Sequence, residues 1–164
     1  MFDKNQAHYV VVTGIIAKDG KYLITKRAEW EKAFPGRWTV PGGKVKVLDY
    51  TLKKKDTAEL WYNILEDALS REIQEEVGLE IKNIGYITSM VYIRIDEVPC
   101  LIISLYGELK EEKDVKLCSA LTEYAWVDLE EAKKYDLIDG IYDELVILDK
   151  HLKEGEKIDG WKKS

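Results

Sequence analysis

The sequence predicts an α/β domain. Short runs rich in β-branched residues open the chain and recur in its second half. A single amphipathic helical segment separates the two groups of strands, and further helical patterns close the chain. The first run, "YVVVTGIIA" (Tyr9 to Ala17), reads as a strand. Asp19-Gly20 is a hairpin signal, and "KYLITKR" follows as the partner strand. "EWEKAFPGR" reads as a loop with a Pro35-Gly36 turn, and "WTVPGGK" as a short strand entering a Pro-Gly-Gly bend. Polar "VKVLDYTLKKKD" is a connection. Two capping-box patterns follow, Asp56 to Glu59 and Asn63 to Glu66. They predict one long helix from about Thr57, or a short helix and a second from Ile64. Gly78 ends this helix as its C-terminal glycine. "IGYITSMVYIR" and "CLIISLYGEL" read as paired strands joined near Asp96, and "TEYAWVDL" as a further strand. "DLEEAKKY" and "IYDELVILDKHLKEG" are the closing helices, with Trp161 able to dock the tail.

Composition narrows the function. With 164 residues, 46% hydrophobic and 34% charged, residues 1–164 are expected to form a single domain with a real core. A net charge of −6 argues against binding a nucleic acid polymer, although a divalent cation can still mediate contact with a polyphosphate. The start, "MFDKNQAHYVVV", lacks a secretory leader pattern, and no apolar run reaches membrane-spanning length. A cytoplasmic protein with no membrane partner is expected. Cys100 and Cys118 read as reduced thiols, and two histidines, His8 and His151, make a histidine-based metal site or triad improbable.

The central helix carries a contradiction. At 100° per residue, Trp61, Leu65, Ala68, Leu69 and Ile73 share one side, yet Glu72 and Glu76 lie in the middle of that side. Glu75 sits at its margin and Arg71 further round. Burying an unpaired carboxylate costs several kcal/mol, on the order of a domain's whole stability. Such groups are kept for a partner, usually a cation, or belong to a structural ion pair. Gly42-Gly43 precedes this helix, and glycine lets backbone approach a metal or phosphate closely. Hard cations such as Mg²⁺ take oxygen ligands, typically one or two carboxylates plus substrate phosphates. Glu72 and Glu76, one turn apart, can supply them.

"PGGK…REIQEEVGL" resembles the signature of the Nudix hydrolases. That signature is Gly, five residues, Glu, seven residues, then Arg-Glu-apolar-X-Glu-Glu-X-Gly-apolar. Arg71, Glu72, Ile73, Glu75, Glu76, Gly78 and Leu79 match its second half, and "YLITKRA", "FPGRWTVPGGK" and "LTEYAWVDLEEA" look like flanking family segments. The resemblance implies an α/β/α sandwich with a mixed β-sheet and a carboxylate-bearing catalytic helix. It further implies a pyrophosphohydrolase that uses Mg²⁺, with Mn²⁺ also admissible, on a small nucleotide-type substrate. Glu72, Glu75, Glu76 and the Gly43 carbonyl would be metal ligands, and Arg71 would hold the glutamates in place. Glu75 could instead position the attacking water. Glu123 is a candidate general base, with Glu72 the other choice. Arg27, Arg37, Lys44 and Trp30 are candidate substrate contacts, with Phe34 and Tyr92 as further aromatics. Homodimer formation is left open. So is a second function class, a nucleotide sensor that kept the fold and lost turnover.

The spacing departs from the family pattern. Gly43 and Arg71 lie 28 positions apart (71 − 43) where the family has fourteen. Counting back eight from Arg71 lands on Asn63, in place of the family's first glutamate. On that count the insert spans about residues 46–62 and carries Lys53, Lys54, Lys55, Tyr50, Trp61 and Tyr62. It reads either as a cationic, aromatic lid or as a solvated excursion.

Overall fold

The computed structural model describes residues 3–161. Strands β1 (Tyr9–Lys18) and β2 (Lys21–Arg27) form the expected hairpin. Asp19 and Gly20 both take positive φ (48° and 74°), the geometry of a two-residue turn that matches strand twist. After two residue pairs, Ala17 with Tyr22 and Lys18 with Lys21, the two strands part. Strand β2 then pairs with β3 (Trp38–Thr39) and β7 (Leu121–Val127), while β1 pairs with β4 (Gly42–Lys44) and β6 (Pro99–Leu109). Strand β5 (Ile81–Ile93) completes the sheet against β6. The β1–β6 pair is parallel and the others antiparallel, so the sheet is mixed as expected.

Side chains alternate between the two faces. On one face Val12, Ile16, Leu23 and Leu105 pack with Ala68, Leu69, Ile73 and Val77 of helix α2 (Ile64–Val77). On the other, Ile15, Ala17, Tyr22 and Ile24 pack with Ala132 of α3 (Leu129–Ala132) and with Ile141, Leu145 and Leu148 of α4 (Ile141–Glu154). Gly14 lets the Leu69 side chain of α2 rest directly on the strand backbone, since a Cβ there would collide with it.

Several elements differ from the sequence reading. "WTVPGGK" is two short strands, β3 and β4, split at Val40-Pro41, where the sheet divides. No helix starts at Thr57. The Thr57 hydroxyl accepts from the Glu59 and Leu60 amides, and Asp56 accepts from Tyr62 N–H, so the first capping box stabilises a turn. Helix α2 starts at Ile64, but Asn63 is left-handed (φ 56°, ψ 33°) and its side chain caps nothing. Trp61 therefore lies outside the helical stripe. It packs against Tyr50 with tilted rings, centroids 5.5 Å apart, and donates Nε1–H to the Lys53 carbonyl. The polar connection after β4 contains a short helix, α1 (Leu48–Thr51). "DLEEAKKY" shrinks to one turn, α3, with a complete Asp128–Glu131 capping box. Gly78 does end α2, in the left-handed region. Trp161 docks the tail, donating Nε1–H to Asp143 and its backbone N–H to Thr88.

Candidate active site

The wedge where β1 and β2 part is where the acids of α2 converge. Each acid occupies a different environment. Glu72 is 7% exposed and lies against Gly43, where a Cβ would overlap its carboxyl. Gly43 is therefore required for close approach of backbone to carboxylate. Glu76 reaches the edge of β4 and accepts the Gly42 N–H at 3.1 Å. Burial, reinforced by the nearby Glu72 charge, pushes its carboxyl up to about 7. Arg27 on the far wall of the wedge opposes this shift. Glu75 is exposed and held by Arg71.

Arg71 organises the cluster. Its Nη1 donates to Glu72 at 2.8 Å and to Glu75 at 3.0 Å, and its Nη2 donates to the Lys44 carbonyl at 3.0 Å. The remaining donors form a two-point fork onto Asp49, from Nε at 2.5 Å and Nη2 at 3.1 Å. Asp49 sits in α1 with its side chain 5% exposed and also accepts the Lys46 N–H at 2.7 Å. The Arg71 fork holds its carboxyl below the usual range.

Asp49 was missed in the sequence. The signal was there: with five residues between them, Asp49 follows Gly43, an acid at the family spacing counted forward from the glycine. Counting back from Arg71 gave Asn63 instead. Asn63 lies nine helical rises from Glu72, about 13.5 Å at 1.5 Å each. The additional residues thus fall after Asp49. Asn63→Glu is expected to leave Mg²⁺ affinity unchanged, as read by calorimetric titration; tighter binding would return residue 63 to the cluster.

Other candidates are placed elsewhere. Glu123 pairs with Lys26 at 2.8 Å, on the face of β7 that Ala125 and Val127 turn toward α4. The sheet separates it from Glu72 and Glu76. Arg37 turns away to the Leu137 carbonyl, Asp136 and Asp139, pinning the connection between α3 and α4. The Lys44 ammonium lies over the Tyr9 ring at 4.8 Å. Arg27 remains beside the acids, oriented by the Ala33 carbonyl and Glu31. Trp30 is 69% exposed, whereas Phe34 packs on Tyr92 with ring centroids 5.2 Å apart. In the 50–63 loop, Lys53 pairs with Asp67 at 2.7 Å and Lys55 covers Trp61. Changing Lys53, Lys54 and Lys55 to Ala is therefore expected to leave KM for an anionic substrate within about twofold, given how little exposed pairs contribute. A KM that rises at low salt and recovers at high salt would place the run over the substrate.

The donor set fits a hard divalent cation. Glu72 and Glu76 are oxygen donors on one helix face, and Gly43 brings backbone against them. Among the described residues no group of three or more His, Cys, Asp or Glu side chains is assembled to enclose an ion. Surface hollows of about 420 and 320 Å³ lie away from the acids, at the β1–β2 hairpin and between α4 and the tail.

A model of the NUDIX domain matches residues 7–146. The chain belongs to this family. It is a Nudix-type pyrophosphohydrolase. It is 31% identical over 136 residues to the nucleoside triphosphatase NudI of Salmonella paratyphi B, covering 77% of this chain and 86% of that protein. The NudI of Klebsiella pneumoniae is 29% identical with the same coverage. Among solved structures, the MutT protein of Methanosarcina mazei Go1 superposes with a TM-score of 0.65 at 24% identity, covering 89% of this chain and 96% of that one. A NUDIX hydrolase of Alicyclobacillus acidocaldarius gives 0.68 at 14% identity, covering 87% and 91%. These structural matches establish the fold. No helix among the described residues is long and apolar enough to cross a membrane.

The buried acids also set a pH dependence. Glu76 and Glu144 both have carboxyls pushed from 4.5 to about 7 by burial. A carboxyl raised on folding stabilises fully below its unfolded pKa, and that contribution is lost as pH rises through the folded value. Each group then costs on the order of 3 kcal/mol at pH 8. The lowered Asp49 acts oppositely, but below about pH 4, outside this window. The metal-free protein is thus expected to melt at a lower temperature at pH 8 than at pH 5.5. Flat melting across this range in a chelator would show that neither carboxyl is perturbed.

Proposed function

We propose that this Nudix enzyme, a single-domain cytoplasmic protein, hydrolyses a pyrophosphate bond in a nucleoside triphosphate or a related nucleoside diphosphate derivative, with Mg²⁺ or Mn²⁺. The observation that carries this reading is the convergence of Glu72 and Glu76 on the Gly42-Gly43 backbone of β4, with Arg71 holding Glu72. The NudI relatives, named nucleoside triphosphatases, support the substrate class.

Glu72, Glu76 and the Gly43 backbone would hold the cation, which supplies charge neutralisation on the anhydride oxygens and a more acidic water. Arg71 fixes Glu72 through one carboxylate oxygen. It also steadies Glu75, which positions the attacking water. With Glu123 on the other face of the sheet, we assign the general-base role to Glu72, the other candidate. Arg27, beside Glu76, meets the substrate phosphates. The sensor reading rested on a missing first acid; Asp49 fills that place against Arg71.

A screen of nucleoside triphosphates, nucleotide sugars and dinucleotide polyphosphates, each with Mg²⁺ and with chelator, tests the proposal. Metal-dependent release of phosphate or pyrophosphate is expected. Tight binding without turnover would restore the sensor.

A further inference from the structure

Strand β5 is the outermost strand of the sheet on the β6 side. Strand β6 pairs with one of its edges, and among the described residues no strand pairs with the other. An open edge presents unpaired N–H and C=O groups, and proteins usually blunt it with charge, proline or bulges. The first half of β5 follows that rule. It carries Lys82 and a left-handed Asn83, and its pairing with β6 shifts register between Lys82 and Gly85 and again between Tyr86 and Thr88. The second half has none of these devices. From Thr88 to Ile93 the sequence is TSMVYI, and each residue pairs in unbroken register, Thr88 with Ser104 through Ile93 with Pro99. The tail reaches this half at Thr88, through the Trp161 N–H, which leaves residues 89–93 as the open edge.

The sheet face beside that edge is uncovered as well. Helix α2 packs over β1 and β4, and β5 extends beyond it. Val91 and Ile93, neighbours on the α2 side of the sheet, are therefore 56% and 64% exposed. Ile95 follows in the turn to β6 and is fully exposed. A single exposed aliphatic residue is ordinary, whereas a row of them along an unpaired edge marks a contact surface.

Charge selects the partner. Copies that each carry −6 repel one another over most of their surfaces. Residues 89–93 carry no charge, so two copies meet there without that cost. A two-fold axis through this segment sets each strand antiparallel to its own sequence. It also carries the acidic turn of each copy, Asp96-Glu97, toward the Lys82 end of the other. Arg94 pairs with Asp96 and Lys110 with Glu80 inside one copy, but among the described residues Lys82 and Glu97 have no ion-pair partner there.

We propose that β5 pairs with β5 of a second copy, antiparallel through residues 89–93, so that two sheets join into one. The interface is isologous and uses each β5 edge once, so the assembly closes as a dimer. Backbone hydrogen bonds along the edge supply the pairing, and Val91, Ile93 and Ile95 add apolar contact beside it.

Sedimentation velocity combined with hydrogen exchange tests this. The wild type is expected to sediment as a dimer, and the amides of residues 89–93 are expected to exchange more slowly as protein concentration rises. Val91→Lys combined with Ile93→Lys sets like charges against each other across the two-fold and should raise the dimer dissociation constant at least about a hundredfold. Both side chains are exposed in the single copy, so the variant should keep the circular dichroism spectrum of the folded protein. The exchange measurement on the wild type needs no variant and decides the matter even if the lysines impair folding. A wild type that stays monomeric would leave the edge to a different chain and overturn the proposal. So would an assembly larger than a dimer, a dimer that survives both lysines, or concentration-dependent protection that spares β5.

Discussion

Replacing Glu76 with glutamine lowers turnover at least about a hundredfold and weakens Mg²⁺ binding, on the scale expected when a metal site loses a charged ligand. The same change leaves the metal-free protein no less stable, and more stable at pH 8. Both effects come from one fact. The Glu76 carboxyl is desolvated beside Glu72 and pushed up to about 7, so its ionised form is costly until a cation arrives. Glutamine keeps the shape and the acceptor for the Gly42 N–H, and removes the charge. Steady-state kinetics with melts in chelator read the two effects separately. Near-native turnover would remove Glu76 from the metal shell.

Asp49→Ala has the second largest expected effect, and it acts in the opposite direction on stability. It strips the guanidinium of its two-point partner while leaving Arg71 against Glu72, Glu75 and the Lys44 carbonyl. Removing one member of a largely buried ion pair costs roughly 3 kcal/mol. Arg71 then no longer fixes the acids, and kcat should fall about 10- to 100-fold. Asp49→Glu keeps the charge on a longer arm and should recover part of both losses. If Asp49→Ala retained native kcat at a temperature where it is folded, the fork would be structural support for α1 alone.

The helix bearing the acids, its glycine stop and the hairpin were legible because each depends on local chemistry. Gly78 and Asp19-Gly20 demand positive φ, and the 3.6-residue period of Leu65, Leu69 and Ile73 needs no tertiary information. The dangling acids on that stripe pointed to a site because burial without a partner is expensive. What was not legible depends on contacts distant in sequence. Asp49 and Arg71 are brought together only when the 50–63 loop folds back, and two anchors spaced wrongly left two places for the missing acid. The capping patterns failed for a related reason. At Thr57 the hydroxyl satisfies a turn instead of a helix, and at Asn63 a left-handed backbone points the amide away from the cap. Glu123 and Arg37 share a third cause. Which face of a strand a residue takes, and which loop a guanidinium meets, is settled by the splitting of the sheet, and no local pattern announces that split.

The central claim is that the cation sits between α2 and β4. Substoichiometric Mn²⁺ added to the ¹⁵N-labelled protein tests it by paramagnetic broadening. The amide signals of Gly42, Gly43 and residues 71–76 should disappear first, and Glu76→Gln should delay their loss. Broadening centred on the exposed acids Asp136 and Asp139, or spread evenly over the surface with α2 and β4 spared, would contradict the site.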